Sequence, residues 1–280
     1  MSARELRFDV NLSILFTELP LLERPAAAAE AGFTEIELWW PFAGPTPTDA
    51  ESDALGRAVR DAGVALVGLN FDAGDMPAGD RGLLSRPAEA ARFRANIDVA
   101  TGFAGSLGCR ALNALYGNRE DGVDPRAQDE LALENLVSAA VAAERVGATV
   151  LIEALNTPEN PRYPLATSAA ALAVVDKVNA ETGLGNTAFL ADFYHLARNG
   201  EAPAGVIDAH ADSFGHVQIA DTPGRGQPGT GEMDFDDLFR RLVAAGYTGR
   251  VGLEYKPVGA AADSFGWLAR ELRGSKGGTG

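Results

Sequence analysis

The sequence predicts an α/β protein built as a single (β/α)8 TIM barrel, and three observations lead to this prediction. The chain has 280 residues, and a barrel of this kind takes about 250 residues. An alanine-rich stretch, a glycine and a short apolar run recur in this order along the chain. The apolar runs show little alternation with polar residues, as expected for strands that are buried on both faces of a parallel sheet.

The repeated glycine predicts where a helix ends before each strand. A helix commonly ends with a residue in the left-handed backbone region, and glycine adopts that region without steric strain. Each apolar run then follows as the next strand, which gives the βα unit of an α/β fold. The five clearest copies contain Gly32, Gly63, Gly108, Gly147 and Gly246.

Eight strands are predicted once the less regular copies are included. They lie near Phe8–Ser13, Glu35–Trp39, Ala65–Asn70, Arg110–Leu115, Thr149–Leu155, Ala188–Asp192, His216–Ala220 and Val251–Tyr255. Eight βα units close a barrel in which no strand edge is left unpaired. An open doubly wound sheet is the alternative, but no GxGxxG motif follows the first strand.

One domain is predicted over residues 1–273, followed by a flexible tail over 274–280, because no linker rich in Pro, Gly or Ser interrupts the middle of the chain. Two irregular segments, Phe71–Glu89 and Asp221–Met233, follow predicted strands three and seven. Barrel enzymes build their sites from the loops at the carboxyl ends of the strands. We therefore expect both segments to border a functional site.

Composition excludes several classes of function. The chain has 39 Asp and Glu against 24 Lys and Arg, a formal net charge of −15, which argues against nucleic acid or an anionic membrane as a partner. A single cysteine, Cys109, excludes an internal disulfide and a thiolate zinc cluster. No membrane-length apolar run and no signal-peptide core are found. A cytoplasmic location is expected.

Polar side chains interrupt or end four consecutive predicted strands, from the fifth to the eighth. Glu153, Asp192 and Glu254 are acidic, and Gln218 adds an amide. An ionised carboxylate is rarely buried unless it is paired or bound to a metal, since its desolvation costs several kcal/mol. Strand ends converge in a closed barrel, so these four residues are predicted to bind one Mg²⁺ or Mn²⁺ ion through oxygen.

The motifs that carry these residues resemble the hydroxypyruvate isomerase family of the xylose-isomerase-like barrels. They are IEALN, DFYH, HVQIAD, the glycine-rich PGRGQPGTGE and GLEYKP, together with NLSILF, GFTEIEL and AGD-xx-AG-x-RG. The resemblance covers almost the whole chain in order. It implies one divalent cation on the four strand-end residues, Glu153 and Glu254 as the acid/base pair, and His195 and Arg225 facing the substrate.

The implied reaction interconverts hydroxypyruvate and tartronate semialdehyde through an enediolate. Two carboxylates suit it, because one can remove a proton from carbon and the other can return one at the neighbouring carbon. Arg225 offers a planar donor for a substrate carboxylate, and Lys256 is a second possibility. Glu37 and Asn70, near the ends of strands two and three, are further candidates for the pocket wall.

Two departures from the family pattern bear on the substrate. LNFDAGD stands where the family usually has HNLPAGD, so Leu69 replaces a histidine and Asp72 replaces a proline, and a Trp39–Trp40 pair replaces smaller apolar residues. The alternatives therefore include a 2-oxo-tetronate isomerase, a ketose 3-epimerase, an inosose-dehydratase-like lyase and a non-catalytic sugar-acid binding protein. A homodimer or a higher homo-oligomer is compatible with the sequence.

Overall fold

A computed structural model describes residues 2–274 and contains a closed barrel of eight parallel strands in the order β1 to β8. The strands are β1 (Arg7–Asn11), β2 (Glu35–Leu38), β3 (Ala65–Asn70), β4 (Ala111–Asn113), β5 (Thr149–Glu153), β6 (Thr187–Asp192), β7 (Phe214–Ile219) and β8 (Arg250–Leu253). Pairing of Phe8 with Val251 joins β1 to β8 and closes the barrel. The predicted fold class and all eight predicted strands are confirmed, with ends that differ by at most two residues.

One α-helix follows each strand from β1 to β7, except that two follow β6, and within the described residues β8 is followed only by 3-10 helices. The α-helices are α1 (Arg24–Glu30), α2 (Asp49–Asp61), α3 (Ala90–Ser106), α4 (Pro125–Glu144), α5 (Ser168–Thr182), α6 (Phe193–Arg198), α7 (Pro203–His210) and α8 (Phe235–Ala244). Short 3-10 helices occur at Ser2–Arg4, Leu21–Glu23, Pro87–Glu89, Ala211–Ser213, Ala261–Phe265 and Arg270–Leu272. Among the described residues, no helix is long and apolar enough to cross a membrane.

The ends of the helices are set by local chemistry that the sequence contains. Thr48 and Glu51 form a reciprocal capping box at the start of α2, and such a cap satisfies backbone N–H groups that the first turn leaves free. The five repeated glycines have φ between 64° and 98°. This confirms the predicted left-handed residue at the end of each of those helices.

Packing of helices against strands buries the main apolar core. Phe8, Phe189 and Phe193 are among its fully buried side chains. The inside of the barrel is different, because buried polar groups such as Asp9, Asn11 and Glu37 occur in its strands. Buried polar groups usually have hydrogen-bond partners: Asn11 donates to Glu37, and this bond helps to position the candidate site, whereas both Asp9 oxygens lack a hydrogen-bond partner among the described residues.

The two predicted irregular segments follow β3 and β7 on the same face of the barrel. In the first, Gly82 forms an isolated bridge with Tyr116 of the segment after β4. In the second, the Asp221 carboxylate accepts backbone N–H groups of Gly229, Gly231 and Met233 at 2.8–3.0 Å. Both segments are therefore held in place. Of the predicted tail, only Gly274 is described, and residues 275–280 lie outside the described part of the chain.

Candidate active site

A cavity of about 1660 Å³ opens at the carboxyl ends of the strands. Six of the predicted site residues line it: Asn70, Glu153, His195, Arg225, Glu254 and Lys256. Asp192 and Gln218 are buried and do not form part of its wall. Glu37 is also absent from the wall, which differs from the prediction and is explained below.

Glu153 ends β5 with one carboxylate oxygen held, and the other accepts no hydrogen bond from the described residues. Asn113 of β4 donates from Nδ2 to Glu153 Oε2 at 2.8 Å. Burial raises the pKa of Glu153 well above its ordinary value, and the neighbouring Glu254 and Asp192 carboxylates raise it further. A carboxyl group with a raised pKa can exchange protons near neutral pH.

Asp192 ends β6 and is the N-cap of α6. Its Oδ1 accepts the backbone N–H groups of Tyr194 at 2.8 Å and His195 at 3.2 Å, as an N-cap side chain does. The DFYH motif therefore places an acid at a strand end and starts a helix with the same residue. Burial raises the pKa of Asp192 to about 6, although Arg225 and the two N–H donors oppose the shift.

Gln218 of β7 has one end of its amide engaged and the other end without a partner. Its Nε2 donates to Glu37 Oε1 at 2.8 Å. This bond fixes which end of the amide is the oxygen, and Gln218 Oε1 is buried with no hydrogen-bond partner in the described structure. A buried carbonyl oxygen without a donor is unusual in a native protein, and a cation would satisfy it.

Glu254 follows β8, and two side chains hold its Oε1. The Trp39 indole donates to it from Nε1 at 2.7 Å, and Arg225 Nη2 lies 3.5 Å away. Burial raises the pKa of Glu254 to about 8, with Arg225 opposing the shift and Asp192 adding to it. The sequence marks Trp39 only as a departure from the family pattern, and its bond to Glu254 was not predicted.

The predicted ligand set suits a hard divalent cation. Ligand atoms of Glu153, Asp192 and His195 lie within 4.8 Å of one another, whereas Glu254 falls outside that group. Glu153, Asp192, Glu254 and Gln218 offer only oxygen, which matches the preference of Mg²⁺ and Mn²⁺. Together with the unpartnered Gln218 oxygen, this donor set fits such an ion.

His195 is a hydrogen-bond donor at this site, because its other ring nitrogen is already an acceptor. The Asn156 backbone N–H and side-chain Nδ2 approach His195 Nδ1 at 3.0 and 2.7 Å. Burial lowers the pKa of His195 well below its ordinary value, and Arg225 and Arg81 add to the effect. The ring is therefore neutral with its proton on Nε2, 3.6 Å from Asp192 Oδ2, and a protonated nitrogen is not a metal ligand.

Arg225 reaches the cavity from the segment after β7. Its φ of 58° places it in the left-handed region, a strained backbone for a residue with a side chain, and the Asp221 hydrogen bonds hold the loop around it. Its guanidinium lies over the Tyr194 ring, 5.3 Å from the centroid. A buried, stacked guanidinium is well suited to bind a carboxylate.

Glu37 lies inside the barrel rather than at the cavity wall. It accepts from Asn11 Nδ2 at 3.0 Å and from Gln218 on Oε1, while His216 Nε2 lies 2.8 Å from Oε2. Asp9, Glu37 and His216 form a second buried group of acids and histidine, below the first. The sequence located Glu37 on the inner face of β2 but not its depth, so its role is to hold Gln218.

The remaining predicted residues lie at the wall. Asn70 ends β3 inside the cavity, and Lys256 is exposed at its mouth. At the family departures, Leu69 is buried in the apolar core. Asp72 accepts two bonds from Arg92, at 2.7 Å from Nε and 3.0 Å from Nη2, and both side chains line the cavity. The replacement of proline by Asp72 has thus introduced a bidentate ion pair at the wall.

Comparison with known proteins agrees with this geometry. The family described as "Xylose isomerase-like TIM barrel" matches residues 25–271. A Streptomyces coelicolor protein named "Putative hydroxypyruvate isomerase" is 64% identical over 99% of this chain and 100% of its own length. The Escherichia coli hydroxypyruvate isomerase is 33% identical over 94% of this chain and 98% of its own length. Other relatives, 30–34% identical, are named 2-oxo-tetronate isomerase.

A solved structure extends the likeness to three dimensions. The Brucella melitensis protein described as an AP endonuclease of family 2 superposes with a TM-score of 0.84, at 36% identity. The superposition covers 94% of this chain and 97% of that chain. The closed barrel and the acidic strand ends thus define the class, and the chain belongs to the xylose isomerase-like TIM barrel family. Within this class it is an isomerase of the hydroxypyruvate isomerase family.

Proposed function

We propose that the protein interconverts hydroxypyruvate and tartronate semialdehyde by moving a proton between adjacent carbons. The observation that carries the proposal is that Glu153 and Glu254 line the same cavity and both have raised pKa values. Two buried carboxyl groups poised to exchange protons are what a two-base isomerisation needs. The choice of hydroxypyruvate as the substrate is based on the relatives that are named hydroxypyruvate isomerase.

In this mechanism, Glu153 and Glu254 each carry out one of the two proton transfers at carbon. One carboxylate removes a proton from C3 of hydroxypyruvate, and the resulting enediolate receives a proton at C2 from the other carboxyl group. The hydroxyl proton moves from the oxygen on C3 to the oxygen on C2. Each positioned acid or base contributes about 10²–10⁴-fold to such a step. Glu153 and Glu254 exchange these roles when the reaction runs in reverse.

Other side chains bind and orient the substrate. His195 presents its Nε2–H to a substrate oxygen, since Asn156 occupies the other ring nitrogen. Arg225 offers N–H groups to the carboxylate. Glu153, Asp192, Gln218 and Glu254 would hold Mg²⁺ or Mn²⁺, which when bound polarises the substrate carbonyl and stabilises the negative charge on oxygen. A neutral histidine beside this site adds a donor without a competing positive charge.

A longer substrate is the second candidate, and the size of the cavity favours it. About 1660 Å³ is more than a three-carbon acid fills, and several relatives are named 2-oxo-tetronate isomerase. The chemistry would be the same on a four-carbon acid. A ketose 3-epimerase or a dehydrating lyase would use the same residues on a substrate without a carboxylate.

A comparison of substrates tests these assignments. The purified protein with Mg²⁺ or Mn²⁺ is assayed with hydroxypyruvate, 2-oxo-tetronate and a free ketose, and products are identified by mass. We expect the highest kcat/KM with hydroxypyruvate and no change of product mass. A preference for 2-oxo-tetronate would establish the second candidate. Turnover of the ketose alone, or a product lighter by one water, would contradict the proposal.

A further inference from the structure

Arg81, in the segment after β3, faces the cavity without an acidic partner. Its Nε donates to Asn160 Oδ1 at 2.5 Å, and its Nη1 donates to the carbonyls of Met76 and Asp80 at 3.0 and 2.6 Å. Within residues 2–274, Nη2 has no hydrogen bond and no carboxylate oxygen forms an ion pair with this arginine. Three neutral acceptors thus fix the guanidinium while its charge remains available to a ligand.

A hydrogen-bond chain connects Arg81 to the catalytic side of the cavity. Asn160, which accepts from Arg81, donates from Nδ2 to the Asn156 carbonyl at 3.1 Å. The backbone N–H of Asn156 then donates to His195 Nδ1 at 3.0 Å. Arg81 is thus placed on the same wall as His195, whose Nε2 faces Glu153 and Asp192.

Arg225 lines the same cavity as Arg81. Its guanidinium contacts Glu254 at the long distance of 3.5 Å, to Oε1 and to the backbone carbonyl. Arg225 therefore forms no bidentate pair with this carboxylate. Burial lowers the pKa of Arg81, and the charge of Arg225 lowers it further. Glu159 lines the same cavity and acts on both arginines, but its oxygens accept from Tyr194 and Asn156. Two guanidinium groups in a shared cavity, neither paired bidentately, favour binding of a further anion.

The other two cations at the cavity do not compete for this role. Arg92 is paired bidentately with Asp72, which leaves its charge compensated. Lys256 is exposed at the mouth, where solvent screens its charge. Arg81 therefore has no ion pair among the described residues, and Arg225 has only the long contact to Glu254, so both have N–H groups left to donate to a ligand.

We infer that Arg81 and Arg225 together form a subsite for the carboxylate of a small hydroxy-oxo acid. This inference rests on the proposed function, in which Arg225 binds the substrate carboxylate, and adds Arg81 and the selection of acids over neutral sugars to it. With its carboxylate on the two arginines, the acid directs its neighbouring carbons toward His195 and the acidic strand ends. Neutral ketoses lack the group that the subsite binds, so the subsite selects acids.

Binding of a matched pair of unreactive probes tests the subsite separately from turnover. Glycerate carries the carboxylate and glycerol does not, and each is titrated with Mg²⁺ present into wild type, Arg81→Gln and Arg225→Gln. We expect each substitution to weaken glycerate binding about 10–100-fold, as loss of a charge-assisted hydrogen bond does. Glycerol binding should stay within about twofold. Equal weakening of both probes, or unchanged glycerate binding, overturns the subsite.

Two further variants separate a binding role from a structural one. Arg81→Lys keeps the charge but cannot make all the contacts of Nε and Nη1, so it should bind glycerate more tightly than Arg81→Gln while its melting temperature falls as in Arg81→Gln. Arg57→Gln removes an exposed arginine of α2 and should change neither probe. In the double variant of Arg81 and Arg225, less-than-additive loss of glycerate binding is expected, because both arginines contact one carboxylate.

Kinetics with hydroxypyruvate then distinguish the two proposals. If the subsite and the function are both correct, Arg81→Gln raises KM about 10–100-fold and changes kcat by less than about threefold. Arginine-dependent glycerate binding without hydroxypyruvate turnover would retain the subsite and refute the function. Turnover with no effect of Arg81 on KM or on glycerate binding would retain the function and refute the subsite.

Discussion

The Trp39 indole donates a 2.7 Å hydrogen bond from Nε1 to Oε1 of Glu254. A second uncharged donor, Asn113, holds Glu153 Oε2 in the same way at 2.8 Å. Each of the two carboxylates proposed to move protons therefore has one oxygen fixed by a neutral partner and one left for the reaction. Arg225 Nη2 also lies 3.5 Å from the Glu254 oxygen that Trp39 holds, but burial still raises the pKa of both carboxyl groups, that of Glu254 to about 8, so neither is kept permanently deprotonated.

Removal of the Trp39 donor should impair catalysis while the ring still fills its place. We expect Trp39→Phe to lower kcat about tenfold, the effect of losing one hydrogen bond to a charged group. The Trp39 bond lowers the pKa of Glu254, so the limb of the kcat profile that reports Glu254 should move to higher pH. Trp40→Phe is the matched control, since that indole donates to the Gly44 carbonyl instead. Equal loss in both variants would contradict the role of Trp39.

His195 is expected to act on substrate and not on the cation. His195→Gln should lower kcat and leave the affinity for Mn²⁺ within about threefold of wild type, because Nε2 carries a proton and is not a ligand. Asp192→Asn should weaken Mn²⁺ binding by roughly 100-fold or more. Isothermal titration with Mn²⁺ measures both. A large loss of Mn²⁺ affinity in His195→Gln would show that the histidine is a ligand.

The metal-free protein should become less stable as pH rises. The pKa of Asp192 is raised to about 6 and that of Glu254 to about 8. Folding thus strengthens proton binding at both groups, and their stabilising contribution at low pH is lost as pH rises through the folded pKa values. Melting temperature should therefore fall between about pH 5 and pH 9, and Mg²⁺ or Mn²⁺ should restore more of it at the alkaline end.

The variant Glu254→Gln provides the control for this pH dependence. It lacks the group whose pKa folding raises to about 8, so its melting temperature should fall less than that of wild type between about pH 5 and pH 8. Differential scanning calorimetry in the presence and absence of the cation gives the comparison. A melting temperature that rises with pH in the metal-free wild type would contradict the account.

Glu37 should be needed for stability and for the orientation of Gln218. In the wild type, Asn11, Gln218 and His216 all contact the Glu37 carboxylate. Glu37→Gln replaces one of its oxygens with an amide nitrogen that donates and cannot accept. We expect a loss of about 3 kcal/mol in the free energy of unfolding, measured by urea denaturation. Glu134→Gln, at an exposed position of α4, should change it by less than about 0.5 kcal/mol. A comparable small change in Glu37→Gln would refute the supporting role.

The sequence predicted the barrel well because its evidence is local and repeated. A glycine at the end of a helix and an apolar run after it each report a backbone preference, so all eight strands were identified. The acids at strand ends stood out for the same reason, since Glu153 and Glu254 interrupt apolar runs. The direction of their side chains follows from the alternation of a strand.

The sequence did not predict how deep a side chain lies in the barrel or which partners the loop residues contact. The alternation of side chains along β2 predicts that Glu37 points into the barrel. How deep it lies depends on the register between strands, which places Asn11 of β1 and Gln218 of β7 within hydrogen-bond distance of it. Trp39 and Arg81 lie in segments that follow strands. Their partners, distant in sequence, are set by the path of each loop, and no periodic pattern reports that path.

The origin of the hydrogen at C2 of the product tests the two-glutamate mechanism most directly. Hydroxypyruvate is converted in D₂O with Mg²⁺, the products are trapped by borohydride reduction, and deuterium at C2 of the glycerate is measured by mass spectrometry. The account predicts one deuterium at C2 per turnover with wild type and with Glu134→Gln, and none above the enzyme-free background with Glu153→Gln or Glu254→Gln. Direct transfer of the substrate's own hydrogen to C2, or wild-type incorporation in either glutamine variant, would contradict it.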